Sequence, residues 1–555
     1  MIRTPRIEIE RVHRDIGNGL ASFRNVVVAF HGLPLAAALA YLVISFGADW
    51  WHLDEIAGLK NLLGIRLLGA FSTALAVGLI AEFLQRTDRS THWVMAFWLV
   101  YLGLLLAVLW PGLLTPDTRS VYLRAFKFPV EDWLGIFSPI LYAMVLQIAP
   151  HVAFVTVLQV ACCVITLGLW DHVLRRNGAS LWVRLLTQGF LAINVSFLYN
   201  VFVLNRDTLF AFALCILLAF QVHIMLSRET ASVRNFVGLG LASAVLCALR
   251  TDGLVAVAIA FAAIFITGRF DARKLLTSGM IFAGLFSLYV PIASAIFGRQ
   301  SDRFGYALSL TTNPLGYMVN NGFKSDDPDR DLQIIDKVFS VDLLRKLQKP
   351  DEIASFWAGG TRYQSSPEER KEYFKTFARI LLNNVGLFLQ GRAITFFGSA
   401  GLREKHGAVV HKDYVDKIGK NGEDLSGLAA TYPFPAAREA VLGLVAGTAK
   451  FEGITFGGSA LYWDFLPYLA VFTALAIFTP VIPVSGFASL TMVSRAAVLF
   501  ALAGGSQFIY FLPLVMGFPF ILAVLWLEVQ TQGIEKNRWW NGFDPQLQRN
   551  SGSRK

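Results

Sequence analysis

Apolar runs of bilayer-crossing length recur along most of this 555-residue chain. A membrane-spanning helix needs about 20 predominantly apolar residues. The spanning segment must be helical or part of a closed barrel, because lipid satisfies no backbone group. Such runs place helices near 27–46, 61–84, 93–110, 152–170, 181–203, 208–226, 235–250, 254–268, 275–297, 462–480, 496–511 and 513–528. The pattern predicts an all-α polytopic membrane protein with about twelve transmembrane helices. A hydrophobic fraction of 55% with 16% charged residues agrees with that class and not with a large soluble core. Trp50-Trp51 and Trp539-Trp540 suit the water interface, and the 45 Phe suit intramembrane walls.

The net charge of +10 raises a nucleic-acid reading. The basic residues instead sit mainly in short turns between apolar runs, where they orient helices and meet anionic lipid headgroups. Membrane lipids are therefore expected partners and nucleic acid is not. The first 26 residues carry Arg3, Arg6, Arg11, Arg14 and Arg24, and no small-residue cleavage site follows the first apolar run. That run is expected to stay as a signal anchor. Cys162, Cys163, Cys215 and Cys247 all lie inside apolar segments and read as small buried hydrophobes.

Charge also sets an orientation. With the Arg-rich N-terminus in the cytoplasm, alternation puts Arg86/Arg89, Arg175/Arg176, Arg228/Arg234, Arg269/Arg273/Lys274, Arg495 and Lys536/Arg538 there too. The opposite turns hold Asp49/Asp54/Glu55, Asp117, Asp207 and Asp252. The chain then divides into a cytoplasmic segment 1–26, a transmembrane module 27–297, a long external region 298–461, C-terminal helices 462–528 and a cytoplasmic tail 529–555. Within the module, 111–150 reads as an external loop with one or two helices lying along the membrane face, interrupted at Pro139. Region 298–461 carries mixed charge and amphipathic stretches near 332–348 and 367–398. It is too long for a connector and is expected to form a lid or small domain over the external mouth.

Ionised groups beside membrane spans are expensive, about 2.5–3.5 kcal/mol at bilayer centre on insertion scales, and they commonly mark function. Asp117 lies in Trp110-Pro111-Gly112-Leu113-Leu114-Thr115-Pro116-Asp117-Thr118. It can serve as a general base at the membrane boundary, or simply as the N-cap of a following helix. Arg206-Asp207 sits at a hairpin tip, either as a turn with a capping acid or as a phosphate-holding cation with a sugar- or metal-holding acid. Arg250-Thr251-Asp252-Gly253 forms a similar tip, with either a structural ion pair or a lipid-phosphate contact through Arg250. Gly298-Arg299-Gln300-Ser301-Asp302-Arg303-Phe304 opens the long external region. Arg299 and Arg303 there form a fork for a phosphate or pyrophosphate, or are ordinary loop charges. His31 and His223 are isolated in apolar helices, and His151 has no metal partner at i+4. No P-loop, nucleotide-binding Gly-rich fingerprint, HExxH or GxSxG occurs. No cofactor is specified; a divalent cation is compatible with the acids but not required by them.

The segment Pro111 to Thr118, followed in order by Arg206-Asp207 and Arg250-Thr251-Asp252-Gly253, resembles the GT-C superfamily of membrane glycosyltransferases, in particular a poorly characterised bacterial branch. In that branch a Lys-Asp pair stands where this chain has Arg206-Asp207, and an Arg-x-Asn-Gly turn where it has Arg250-Thr251-Asp252-Gly253. A His-Pro segment of the family aligns with Ser138-Pro139, so the His is missing here. The resemblance covers about residues 90 to 400. It implies a GT-C-like fold with horizontal external helices and a long external loop. It also implies a base at Asp117 and carrier-phosphate recognition by Arg206, Arg250 or the loop arginines. The activity implied is transfer of a sugar from a polyprenyl-phosphate carrier to a glycan, lipid or protein hydroxyl, on the periplasmic face of a bacterial inner membrane. The alternatives are a lipid-linked glycan transporter or flippase, and a polymerase or ligase that uses a pyrophosphate-linked glycan.

Cysteines introduced singly as D117C, D207C and D252C should react with a membrane-impermeant thiol reagent from one and the same side. Labelling from opposite sides would remove the shared face.

Overall fold

The computed structural model describes residues 32–47, 59–125, 130–131, 135–149, 151–227, 231–268, 272–297, 299–300, 303–350, 356, 359–399, 432–449, 462–503, 505 and 507–542. Among these residues the regular structure is helical, apart from a two-residue parallel strand pair, β1 (Val130–Glu131) with β2 (Arg299–Gln300). The first half contains α1 (Leu33–Gly47), α2 (Leu59–Arg86), α3 (Arg89–Leu109), α4 (Pro116–Arg124), α5 (Phe137–Leu146), α6 (Ala153–Arg176), α7 (Leu181–Ile193), α8 (Val195–Phe202), α9 (Arg206–Ser227), α10 (Val233–Leu249), α11 (Gly253–Ile266) and α12 (Ala272–Phe297). The long insert contributes α13 (Arg303–Asn320), α14 (Pro328–Asp336), α15 (Val341–Leu347), α16 (Pro367–Asn383), α17 (Val385–Gly398) and α18 (Pro435–Ala449). The chain closes with α19 (Leu466–Ile477), α20 (Pro483–Leu502), a 3-10 turn Phe508–Phe511 and α21 (Leu512–Gly542).

Among the described residues, seven helices are long and apolar enough to cross a membrane, or nine if each of two bent pairs is one span. The protein is therefore a polytopic membrane protein built from helices. The bent pairs are α7–α8, at 67°, and α16–α17, at 95°. The first bend divides the apolar run expected as one helix over 181–203. Its cause is Asn194, whose Oδ1 accepts from the backbone N–H of Phe197 at 2.9 Å and from Ser196 Oγ at 2.9 Å. An Asn that caps from the middle of an apolar run ends one helix and starts the next.

Other expectations are corrected. The run at 496–511 is not one helix: α20 covers Pro483–Leu502. The turn before it is Phe478 to Ile482, which carries no basic residue, so Arg495 does not orient a turn. A charge is expected outside the lipid, yet this guanidinium is buried within the bundle. Pro139 does not break its segment either. It sits in the first turn of α5, where a missing N–H costs nothing. The runs expected at 496–511 and 513–528 do not part at Leu512, which opens α21 directly from the 3-10 turn.

The largest core joins α3, α6, α8–α11 and α19–α21. Two of its buried tryptophans are both packed and hydrogen-bonded. Trp98 Nε1 donates to Gln188 Oε1 at 2.7 Å, and Trp170 Nε1 donates to the Cys215 carbonyl at 2.9 Å. The four cysteines are unpaired thiols, three of them buried. A second cluster, with Val121, Tyr122, Ile140 and Tyr142, packs α4 and α5 on Ile65 of α2. A third, with Leu308, Leu315, Phe339, Tyr373 and Ile380, belongs to the insert. The insert is not merely a cover, since α17 joins the bundle against α20.

Polar contacts gather at the two ends of the bundle. At one end Arg184 clasps Asp171 through Nε at 2.8 Å and Nη2 at 2.6 Å, and Thr91 donates to the same carboxylate. Arg175 pairs with Asp88 and Arg234 with Glu82 beside it. His223 is a hydrogen-bonded helix residue, 3.4 Å from Asn177 Nδ2 and 3.2 Å from Ser227 Oγ. Helix α20 is capped at both termini by buried charges. Glu528 accepts from the backbone N–H groups of Val484 and Ser485 at 2.9 and 3.0 Å. Arg392 of α17 donates to the carbonyls of Phe500 at 2.8 Å and Ala503 at 2.7 Å. Each charge has the sign that opposes the helix dipole and fills groups left open by the helix end.

Glu528→Ala should therefore lower the unfolding free energy in detergent by about 2–4 kcal/mol, since hydrogen bonds to a charged acceptor contribute about 1.5–3 kcal/mol each. Denaturant titration followed by tryptophan fluorescence measures it. Glu528→Gln keeps one carbonyl acceptor and should lose less.

Candidate functional site

The site is built on the loop after α3. Gly112 has φ +115, and a Cβ there would lie 2.6 Å from Thr156 Oγ1 and 2.7 Å from Leu204 Cδ1. Only glycine lets the loop approach α6 this closely. Leu113 then pairs with Val203 as a parallel bridge: its N–H donates to Phe202 O at 2.8 Å, and Leu204 N–H donates to Leu113 O at 3.0 Å. Thr156 Oγ1 holds Pro111 O at 2.7 Å, and Gln159 Nε2 holds the Val201 and Val203 carbonyls. The two loops that carry Asp117 and Asp207 are thus stitched together through their backbones.

Capping falls to neighbours of the acids. Thr115 caps α4 through a reciprocal box with Thr118, so Asp117, in the first turn, is not the cap. Asn205 Oδ1 accepts from Asp207 N–H at 3.0 Å, so Asp207 does not cap α9. Asp252 stands at the start of α11 and makes no side-chain cap bond. None of the three carboxylates therefore caps a helix through its side chain.

Two of them are neutralised by arginine. Arg250 Nη1 donates to Asp207 Oδ1 at 2.6 Å, and its Nε and Nη2 reach Asp252 at 3.2 and 3.0 Å. Arg495 Nη1 donates to Asp252 Oδ2 at 2.6 Å and its Nη2 lies 3.6 Å from Asp207. The Arg250 guanidinium faces the Tyr510 ring at 5.5 Å, and that of Arg495 lies over Phe210 at 4.4 Å. Burial alone would raise the Asp252 carboxyl, but Arg250 and Arg495 outweigh it and hold the pKa at about 2.

Asp117 differs. Its Oδ2 accepts a hydrogen bond of 3.4 Å from Asn205 Nδ2. It lines a pocket with Ser138, Tyr142, Asn205 and Arg206. Burial raises its pKa above the ordinary aspartate value. The negative charge of Asp207 adds to that, while Arg206, Asn205 and Arg250 pull back without cancelling it. One acid is thus kept proton-hungry while Asp252 nearby is held as an anion.

The structure brings together Asp117, Arg206, Asp207, Arg250 and Asp252. The side chains of Arg299 and Arg303 lie outside the described residues; their backbones belong to β2 and to the first residue of α13. His151 stacks on Trp110, with ring centroids 5.9 Å apart, and its Nδ1 accepts from Ala153 N–H, which is a packing role. His31 lies outside the described residues. No group of three or more His, Cys, Asp or Glu side chains is placed to hold a metal among the described residues.

Sequence reasoning missed Arg495, placed in a turn when it is 3% exposed inside α20. The available signal was its position between two apolar stretches, Leu490–Ser494 and Ala496–Ala501, the same signal that marked the aspartates. It also missed Arg438 of the insert. That guanidinium donates to the carbonyls of Leu109 at 2.5 Å, Trp110 at 3.0 Å and Gly112 at 3.3 Å, and lies 4.5 Å from the Tyr432 ring centroid. It seals the end of α3 and grips the loop that leads to Asp117. Comparison of the chain with family models, with curated proteins and with solved structures gave no match.

Removing one member of a buried ion pair costs about 3–5 kcal/mol, because its partner is left uncompensated. Arg250→Gln and Asp207→Asn should each destabilise on that scale. The double variant should lose clearly less than the sum, read as coupling in a double-mutant cycle by denaturant unfolding.

Proposed function

We propose that this protein is a membrane glycosyltransferase of GT-C type, moving a sugar from a polyprenyl-phosphate carrier to a hydroxyl of a glycan, lipid or protein acceptor. The single observation that carries the reading is the contrast among three clustered acids. Asp207 and Asp252 are held by Arg250 and Arg495, whereas Asp117 faces a pocket with a raised pKa. A base must want the proton it takes, so a carboxylate pushed upward is the better base.

In this reading Asp117 accepts the proton of the acceptor hydroxyl as that oxygen attacks the anomeric carbon. The bond from that carbon to the carrier phosphate oxygen breaks, and the phosphate leaves with the electron pair. Arg206, at the same pocket, offsets the charge growing on the phosphate, and a fixed cation in a site poor in water is most effective there. Direct attack inverts the anomeric centre.

The membrane layout of the proposal uses the seven long helices, the bent pair α7–α8 and the short apolar helices α1, α10, α11 and α19 as twelve spans. The end of the bundle that carries Arg86, Arg175, Arg184 and Arg234 would then face the cytoplasm, as the positive-inside rule asks. The Asp117 end would face the periplasm of a bacterial inner membrane, with α4 and α5 lying along the surface.

The test is turnover of labelled polyprenyl-phosphate sugars in proteoliposomes. Asp117→Asn should lower release of polyprenyl phosphate by about 10²–10⁴-fold, the usual contribution of a general base. Its thermal midpoint at neutral pH should be no lower than wild type. A carboxyl whose pKa is raised by folding costs stability once it ionises, and Asn removes that cost. The wild-type rate should fall on the acid side, through an apparent pKa above that of ordinary aspartate. Undiminished turnover by the variant would overturn the assigned base. Movement of intact carrier without release of polyprenyl phosphate would favour a transporter.

A further inference from the structure

The Asp117 pocket also holds Ser138, a polar residue that the scheme above does not use. Ser138 is the second residue of α5 and is 3% exposed. Its Oγ has no hydrogen-bond partner among the described residues. It lines the pocket together with Asp117, Tyr142, Asn205 and Arg206. The threonine hydroxyls nearby are engaged: Thr118 Oγ1 donates to Leu204 O, Thr115 Oγ1 meets Thr118, and Thr156 Oγ1 donates to Pro111 O. A buried hydroxyl left without a partner is costly, so an orphan on a pocket wall is explained by a partner that arrives with the ligand.

We propose that Ser138 is a specificity-determining residue, hydrogen-bonding a hydroxyl of the sugar ring presented to Asp117. The inference rests on the sugar-transfer reading and goes beyond it by separating the sugar subsite from the phosphate subsite. A neutral hydroxyl fits the position better than a phosphate does. A phosphate beside the Asp117 carboxylate would meet charge repulsion. The next residue, Pro139, has no N–H, which removes a backbone donor from the first turn of α5. A serine hydroxyl both donates and accepts, as ring hydroxyls do. Val121, Leu204 and Leu209 add the apolar wall on which the C–H face of a ring can rest.

The experiment compares full-length wild type with Ser138→Ala in detergent, without acceptor, by microscale thermophoresis. The probes are polyprenyl-phosphate-linked glucose, mannose and galactose, and polyprenyl phosphate itself. Wild type should bind at least one sugar-bearing lipid more tightly than polyprenyl phosphate. Ser138→Ala should weaken that lipid by about 3- to 10-fold, the effect of one neutral hydrogen bond. It should leave polyprenyl phosphate unchanged and leave the unliganded thermal midpoint unchanged or raised. Equal weakening of all probes would assign Ser138 to the phosphate and overturn the proposal. Unchanged binding of the sugar-bearing lipids, with or without a lowered midpoint, would also overturn it and mark the hydroxyl as structural. A wild type that binds none of the probes would overturn the sugar-transfer reading, and this inference with it.

Discussion

The arrangement of the site end depends on Arg250. Its guanidinium reaches Asp207 on α9 and Asp252 at the head of α11, and Arg495 from α20 meets the same two carboxylates. Four charges of balanced sign lie where water is scarce, and none could be buried alone. The network fixes three elements at one level of the bundle. It is a constraint of geometry more than a source of net stability, because desolvation consumes much of what the pairing contributes. The aromatic faces of Tyr510 and Phe210 close it off from the apolar core.

That constraint sets the electrostatics of its neighbour. Asp207 stands close enough to push the Asp117 carboxyl upward, while the guanidiniums that hold Asp207 and Asp252 are occupied by them. Two chemically identical side chains, Asp117 and Asp252, thus come to differ in their affinity for a proton. Separation of like groups by environment is a recurring basis for acid–base chemistry in enzymes. The backbone stitching of Leu113 to Val203 keeps the two acid-bearing loops in fixed register, so the difference does not depend on a mobile contact.

Much of the helical order was legible because its cause is local. An apolar run has no stable alternative to a helix in lipid, and most runs in this chain lie under helices. What could not be read came from contacts between distant residues. Asn194 looks like an ordinary polar interruption until its side chain caps α8. Arg495 looks like a boundary charge until Asp252 and Asp207 are placed beside it. Arg392 and Arg438 carry no motif, since a guanidinium that caps a helix end answers to backbone carbonyls of any sequence. Among the candidate site residues, the three acids were visible through the cost of charge beside a membrane span. Ser138 and Asn205, being short and neutral, give no such signal.

The grip of Arg438 has a consequence for biosynthesis. The carbonyl of Leu109 and the guanidinium that caps it are separated by 329 positions in the chain. When the loop before Asp117 leaves the ribosome, the group that will seal it has not yet been made. The helices of the first half can enter the bilayer one after another, each satisfied internally, but the loop beside them must wait with open carbonyls. The seal over that loop is therefore closed only once residue 438 has been made, long after the residues that line the pocket.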